Sequence, residues 1–373
     1  MKAVNTGLIY RIYGDDVQTY DALPAQSYTV RFSTDSGFYL EKHAPIEIKE
    51  QKIYGIHEKK VAKVLNSFRM FQRSLGVILS GDKGIGKSLF AKLLSVKAIN
   101  AGLPLIIVDK YIPNIAEFIE SIEQEVVVLF DEFDKTFSKV KNDDNDDTGV
   151  QASMLSLFDG VAQGKKLFIV TCNELRGLND YLINRPGRFH YHFRFEYPSV
   201  EEIRAYLKDK LDAIYWDEIE KVVLFSHKIN LNYDCLRSIA FELNNGESFD
   251  EAIKDLNILN VDDERYDLII HFENGLRFHA KNQPLDLFAA EDLEEIYFRN
   301  AAAEEEGLYV KFATKDCVFS GALGQHIITG DNLQFSKDAY DDNGEAVLKK
   351  VMEAKATHLS IVRHKKRDLH YCV

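Results

Sequence analysis

Short apolar runs and their spacing divide the chain before any motif is considered. Residues 1–40 carry brief aromatic and β-branched stretches, Leu8-Ile-Tyr-Arg-Ile-Tyr and Tyr28-Thr-Val-Arg-Phe, punctuated by Gly-Asp-Asp and Asp-Ser-Gly turns. That texture predicts a small β-rich segment. Residues 57–75 switch to helical spacing, with Val61, Val64, Leu65, Phe68 and Phe71 on one face. From Gly76 to about Glu196, buried-strand runs alternate with helical stretches, which predicts a parallel α/β sheet. Residues 199–258 read as all-helical, opened by the cap and first-turn acids of Ser199-Val-Glu-Glu. Beyond Asn260 strands return: Asp267–Phe272 and Leu276–Ala280 flank an Asn-Gly turn, and further strands are expected near Glu295–Phe298, Leu308–Phe312 and His358–Val362. One helix is expected near Gly344–Lys355. The expected divisions are therefore 1–45, 46–198, 199–259 and 260–373.

Composition adds few constraints. With 373 residues, 46% hydrophobic and 12% aromatic, the chain can bury substantial cores. Its 46 basic and 59 acidic residues give 46 − 59 = −13, which argues against a whole-molecule field that captures nucleic acid or anionic lipid. The four cysteines, Cys172, Cys235, Cys317 and Cys372, form no C-x-x-C pair, so neither a zinc site nor a disulfide framework is signalled. No stretch has the length of a signal peptide's apolar region or of a spanning helix, and a soluble, cytoplasmic protein is expected.

The chemistry begins at Gly81-Asp82-Lys83-Gly84-Ile85-Gly86-Lys87-Ser88, a full G-x-x-x-x-G-K-[ST] motif lying between an apolar run and a helix that starts near Leu89. Its glycines let backbone N–H groups curl around phosphate at a helix N-terminus. Lys87 is placed to bridge β- and γ-phosphates, and the Ser88 hydroxyl to ligate Mg²⁺. The run Val126-Val-Val-Leu-Phe then delivers Asp131 and Glu132 at a strand's C-terminal end, where α/β sites lie. Asp131 would hold magnesium through water, and Glu132 would polarise the attacking water.

With these two motifs in place, the segment from about Tyr54 to Ile258 resembles an AAA+ ATPase module. The resemblance implies a P-loop NTPase sheet in the order 5-1-4-3-2, a helical lid, ATP and Mg²⁺ as ligands, and a homo-oligomeric ring, commonly a hexamer. It also implies roles for particular residues. Asn173, ending the run Lys166-Leu-Phe-Ile-Val-Thr-Cys, matches the position that orients the lytic water. Arg185-Pro-Gly-Arg188-Phe resembles the arginine-finger segment of the AAA branch, so one or both arginines would reach a neighbour's γ-phosphate. Arg237 resembles the lid arginine of clamp-loader and initiator relatives, a feature the AAA branch usually lacks. Gly55 and Ile56 fall where relatives cradle adenine.

Other stretches bear on the substrate. Tyr111-Ile112 lies near the position of a threading unfoldase's pore grip, without the glycine that follows it there. The acidic run Asp143, Asp144, Asp146 and Asp147 falls where relatives have a second pore loop, and six copies in a ring's channel would repel DNA. That run lacks the Gly and Glu of an EF-hand. His57-Glu-Lys-Lys-Val fails the H-E-x-x-H pattern, so a fused zinc protease is not expected. The basic cluster from Arg363 to Arg367 reads first as a solvated hairpin turn. The leading expectation is an ATP-hydrolysing ring protein that remodels a protein partner through its terminal β-rich domains, away from membranes and with nucleic acid disfavoured. The alternatives are a clamp-loader or initiator factor in DNA replication and a nucleotide-switched assembly module.

Overall fold

The computed structural model of the protein describes residues 1–6, 8–48, 50, 52–54, 57–137, 154–159, 164–173, 175, 178, 187–258, 265–287, 293–303, 305–337 and 344–364. Its contacts divide the chain into two units, Met1–Tyr206 with Asn232–Leu236, and Leu207–Leu231 with Arg237–Val373. Among the described residues no helix is long and apolar enough to cross a membrane.

The first unit is built on a seven-stranded sheet. Its central strands are β5 (Leu75–Ser80), β6 (Leu105–Val108), β7 (Val126–Phe130), β8 (Lys166–Cys172) and β9 (Tyr191–Arg194). They pair in parallel in the order β6-β7-β8-β5-β9, so the strand before the glycine loop lies between β8 and β9. Numbered along the α/β core, this is the expected 5-1-4-3-2 arrangement. Buried on both faces, β5, β7 and β8 are near-continuous apolar runs, as parallel strands covered by helices must be. Alternate residues feed two cores. Val77, Leu79, Leu167 and Ile169 pack with α1 (His57–Met70) and α2 (Lys87–Asn100). Ile78, Val128, Phe130, Phe168 and Val170 pack on the other face with α3 (Ile115–Glu120), α4 (Phe133–Thr136) and α5 (Leu155–Asp159).

The β-rich N-terminal segment divides in a way its sequence does not show. Strands β1 (Lys2–Thr6) and β2 (Ile9–Tyr13) form their own hairpin. Strand β3 (Ser27–Ser33) instead joins the central sheet, parallel to β6, and carries β4 (Gly37–Lys42) as an antiparallel edge. Residues 27–42 are thus part of the α/β sheet, because Tyr28 and Val30 are buried in its core. Tyr111 and Ile112 also turn inward. Ile112 is buried, and the Tyr111 ring packs 5.8 Å from that of Phe137, so the pair presents no exposed grip.

The expected helical stretch after residue 199 is present as α6 (Val200–Lys210), α7 (Ile219–Ser226), α8 (Tyr233–Asn244) and α9 (Phe249–Asp255). The second unit adds an eight-stranded antiparallel sheet in the order β14-β15-β17-β10-β11-β12-β13-β16. Its strands are β10 (Arg265–Phe272), β11 (Arg277–Pro284), β12 (Leu293–Asn300), β13 (Gly307–Ala313), β14 (Val318–Ser320), β15 (Gln325–Thr329), β16 (Gln334–Lys337) and β17 (Ala356–Arg363). One face is buried with α10 (Gly344–Ala354) around Leu268, Ile270, Phe278, Phe298 and Val310. The Asn-Gly turn closes the β10–β11 hairpin with Gly275 at φ +84°. The basic cluster is described only at its start, where Arg363 donates to Asn230 and His364 pairs with Asp267 at 2.8 Å.

His326, on β15, is 5% exposed and neither ring nitrogen has a hydrogen-bond partner among the described residues. Burial, followed by the charges of Lys228, His227 and Arg363, lowers its pKa to about 4. An unfolded histidine takes up its proton near pH 6.5. Between those values only the unfolded chain is protonated, so this contribution is complete above pH 6.5 and is lost as pH falls toward 4. The expected loss is on the order of 3 kcal/mol, and His326→Gln should flatten the pH dependence of the urea midpoint across that interval.

Candidate nucleotide site

The loop between β5 and α2 depends on glycines in left-handed backbone. Gly81 has φ +138° and Gly84 φ +75°. A Cβ on Gly81 would lie 2.4 Å from the Phe195 carbonyl oxygen, and one on Gly84 would lie 2.6 Å from Asn232 Nδ2. The loop therefore admits no side chain at either position without displacing its neighbours. Asn232 holds the loop from outside: its Nδ2 donates to the Lys83 carbonyl at 3.3 Å, and the Tyr233 N–H donates to the Gly84 carbonyl at 3.1 Å. The same Asn232 accepts from the Cys235 N–H at 2.8 Å, capping α8. On the other side His57 sets its ring between the Tyr54 carbonyl at 3.0 Å and the Gly86 carbonyl at 3.3 Å. Burial keeps the His57 pKa below the usual histidine range.

Lys87, only 8% exposed, donates to the carbonyls of Gly81 at 2.5 Å and Asp82 at 2.6 Å and to Asn173 Oδ1 at 3.1 Å. Burial pulls its pKa down, opposed by nearby acidic groups including Asp82, Asp134 and Glu132. Ser88, at the first turn of α2, is exposed; Ile85 is buried and Leu89 half-buried against the α1–α2 core. Asp82 and Lys83 project to solvent.

Across the cleft a buried hydroxyl organises the acids. Thr171 donates to Asp131 Oδ1 at 2.7 Å and accepts the Glu132 N–H at 2.8 Å. Glu132 sits at φ +47° as the residue before α4, and its exposed carboxylate pairs with Lys135 at 2.5 Å. That hydrogen bond holds the Glu132 pKa below the usual carboxylate range. Asp134 accepts the Asn173 N–H at 3.0 Å, which fixes the end of β8 against α4. The chain thus brings together Lys87 at the start of α2, Asp131 and Glu132 after β7, and Asn173 after β8.

Thr171, Asp134, His57 and Asn232 hold the candidate site together, and no motif singles them out. Thr171 carries a usable signal: it is the lone hydroxyl in a strand that is apolar after Lys166, and a buried hydroxyl must find partners. Thr171→Val keeps the shape and removes both bonds, so ATP turnover should fall about tenfold or more with the fold intact. A phosphate-release assay alongside thermal melting checks this.

The arginines separate. Arg188 is buried, and its guanidinium forks onto both carboxylate oxygens of Asp159, one bond measuring 2.8 Å. This bond to Asp159 raises the Arg188 pKa. Arg188 is therefore held by its own chain in this conformation. Arg237 is exposed on α8 and belongs to the second unit. Arg185, Gly55, Ile56 and the acidic run 141–149 lie outside the described residues.

The model of the family described as "ATPase family associated with various cellular activities (AAA)" matches residues 77–197. Those residues form an AAA ATPase domain. The chain is 29% identical over 152 residues to the "Vesicular-fusion protein SEC18" of Candida albicans, covering 35% of this chain and 19% of that protein. It is 27% identical over 151 residues to "ATP-dependent zinc metalloprotease FTSH 9, chloroplastic/mitochondrial" of Oryza sativa subsp. japonica, covering 36% and 19%. Against the "Uncharacterized AAA domain-containing protein ycf46" of Gracilaria tenuistipitata var. liui, identity is 28% over 179 residues, covering 44% and 32%. The chain spans about a fifth of the length of the first two of these relatives. An AAA domain implies ATP binding.

Proposed function

We propose that the protein hydrolyses ATP in a homo-oligomeric ring, a hexamer, and uses the cycle to remodel a protein partner. The carrying observation is the placement of Lys87, Asp131, Glu132 and Asn173 around one cleft, tied together by Thr171 and Asp134. Phosphate suits the glycine loop because α2 begins there, and a helix N-terminus favours an anion. Lys87 would exchange the Gly81 and Asp82 carbonyls for β- and γ-phosphate oxygens. Ser88 and Asp131, both exposed, would offer the oxygen donors that Mg²⁺ takes, and the ion when bound neutralises phosphate charge. Glu132 would leave Lys135 to take the proton of the attacking water, and Asn173 would orient that water.

In the ring, Arg185 would supply charge to the neighbouring subunit's nucleotide, while Arg188, bonded to Asp159, braces the segment that carries it. Gly55 and Ile56 would hold adenine. A protein substrate agrees with the relatives' names, one a vesicular-fusion protein and one a metalloprotease. The β-rich parts outside residues 77–197 would recruit that partner. A Glu132→Gln form loaded with ATP should retain its partner through a pull-down. Recovery only of nucleic acid, or equal recovery without ATP, would contradict this reading.

A further inference from the structure

One face of the second unit's sheet is cationic and carries aromatic rings. Phe278, Ala280, Ile296 and Phe298 point into the core, so the alternate residues of β11 and β12 face the other way. Those are Arg277, His279 and Lys281 on β11, with Glu295, Tyr297 and Arg299 on β12; β13 adds Tyr309 and Lys311. The register sets His279 opposite Arg299, Tyr297 opposite Tyr309, and Glu295 opposite Lys311. Glu295 and Lys311 neutralise each other at 3.3 Å. Arg277, Lys281 and Arg299 make no ion pair with any described residue.

The rings lie where bases could stack. A Cβ on Gly307 would fall 2.0 Å from the Tyr297 hydroxyl oxygen, so the absence of a side chain there lets the Tyr297 ring lie across the neighbouring strand. Tyr297 and Tyr309 have centroids 5.1 Å apart at 59°. A depression of about 360 Å³ opens beside them, lined by His279, Ala280, Lys281, Gln283, Tyr297 and Arg299. Successive outward residues along β11 stand ~6.8 Å apart, which gives a row of positive and ring-bearing groups rather than a point.

We propose that this face binds single-stranded nucleic acid, with Tyr297 and Tyr309 stacking on bases and Arg277, Lys281 and Arg299 taking backbone phosphates. A duplex hides its base faces and would leave the tyrosines without a role. An acidic peptide would use the cations but not the rings. The whole-chain charge of −13 opposes long-range capture, so binding is short-range and sensitive to salt. The inference is independent of what the AAA domain remodels; it assigns the second unit a tether.

The test is fluorescence anisotropy of the full-length protein with a labelled oligothymidylate across a salt series. Three phosphate contacts predict a slope of log K against log salt of about −2. Lys281→Glu with Arg299→Glu should weaken binding at least about tenfold while ATP turnover is unchanged, which also reports an intact fold. Tyr309→Ala, at an exposed position, should weaken binding about tenfold with the salt slope preserved. Undetectable binding overturns the proposal, as does equal binding by the charge-reversed protein. Competition by polyglutamate as effective as that by unlabelled oligothymidylate also overturns it and assigns the face to acidic peptides.

Discussion

Replacing Glu132 by Gln is expected to lower ATP turnover roughly 10²–10⁴-fold while ATP affinity stays within a few-fold. The substitution preserves size and hydrogen-bonding capacity but removes the carboxylate proposed to take the water's proton. Backbone placement is unaffected, because the 132 N–H still donates to Thr171 Oγ1. The Glu132 carboxylate is half-exposed and held below the usual range by Lys135, so it is ionised throughout the neutral region. In the proposed mechanism its basicity rises on leaving Lys135, which would couple turnover to a local rearrangement of the first turn of α4. Phosphate release and binding of a fluorescent ATP analogue, measured on the same preparation, separate the two effects. A fall in affinity that matches the fall in turnover would place Glu132 in binding rather than chemistry.

Lys87→Ala should abolish measurable ATP binding at micromolar nucleotide. The ammonium is nearly buried and already spans the Gly81 and Asp82 carbonyls and Asn173, so its partners converge where phosphate would sit. Truncating a buried, hydrogen-bonded charge costs about 2–5 kcal/mol, roughly 30- to 5,000-fold in affinity. Calorimetric titration with ATP reads this directly. The variant should fold, since desolvation depresses the Lys87 pKa and its removal relieves a buried charge.

Much of this was legible because the relevant signals are local. The glycine loop, the apolar strand ending in Asp131-Glu132 and the strand ending at Asn173 each announce themselves within eight residues, and all three meet in space. What escaped the sequence depends on pairing between distant segments. Nothing in Tyr28-Thr-Val-Arg-Phe distinguishes a free hairpin from a strand that joins β6, because both need the same alternation. The clasp on the loop by His57 and Asn232 uses side chains whose types are common in helix caps and cores, so only proximity reveals it. The finger-like motif offers Arg185 and Arg188 alike, and only the pairing of Arg188 with Asp159, 29 residues earlier, tells them apart. The cationic face of β11–β13 is invisible in a net charge of −13, because a sum over the chain erases which side of a sheet each residue occupies.

The central claim is that hydrolysis occurs at sites completed by a neighbouring subunit, and a mixing experiment tests it most directly. Lys87→Ala subunits would lack the proposed nucleotide site but keep Arg185; Arg185→Ala subunits would keep that site but lack the proposed finger. Each should be inactive alone, and phosphate release should reappear when the two are mixed and allowed to exchange. A mixture as inactive as its components, at concentrations where both assemble, would contradict the account.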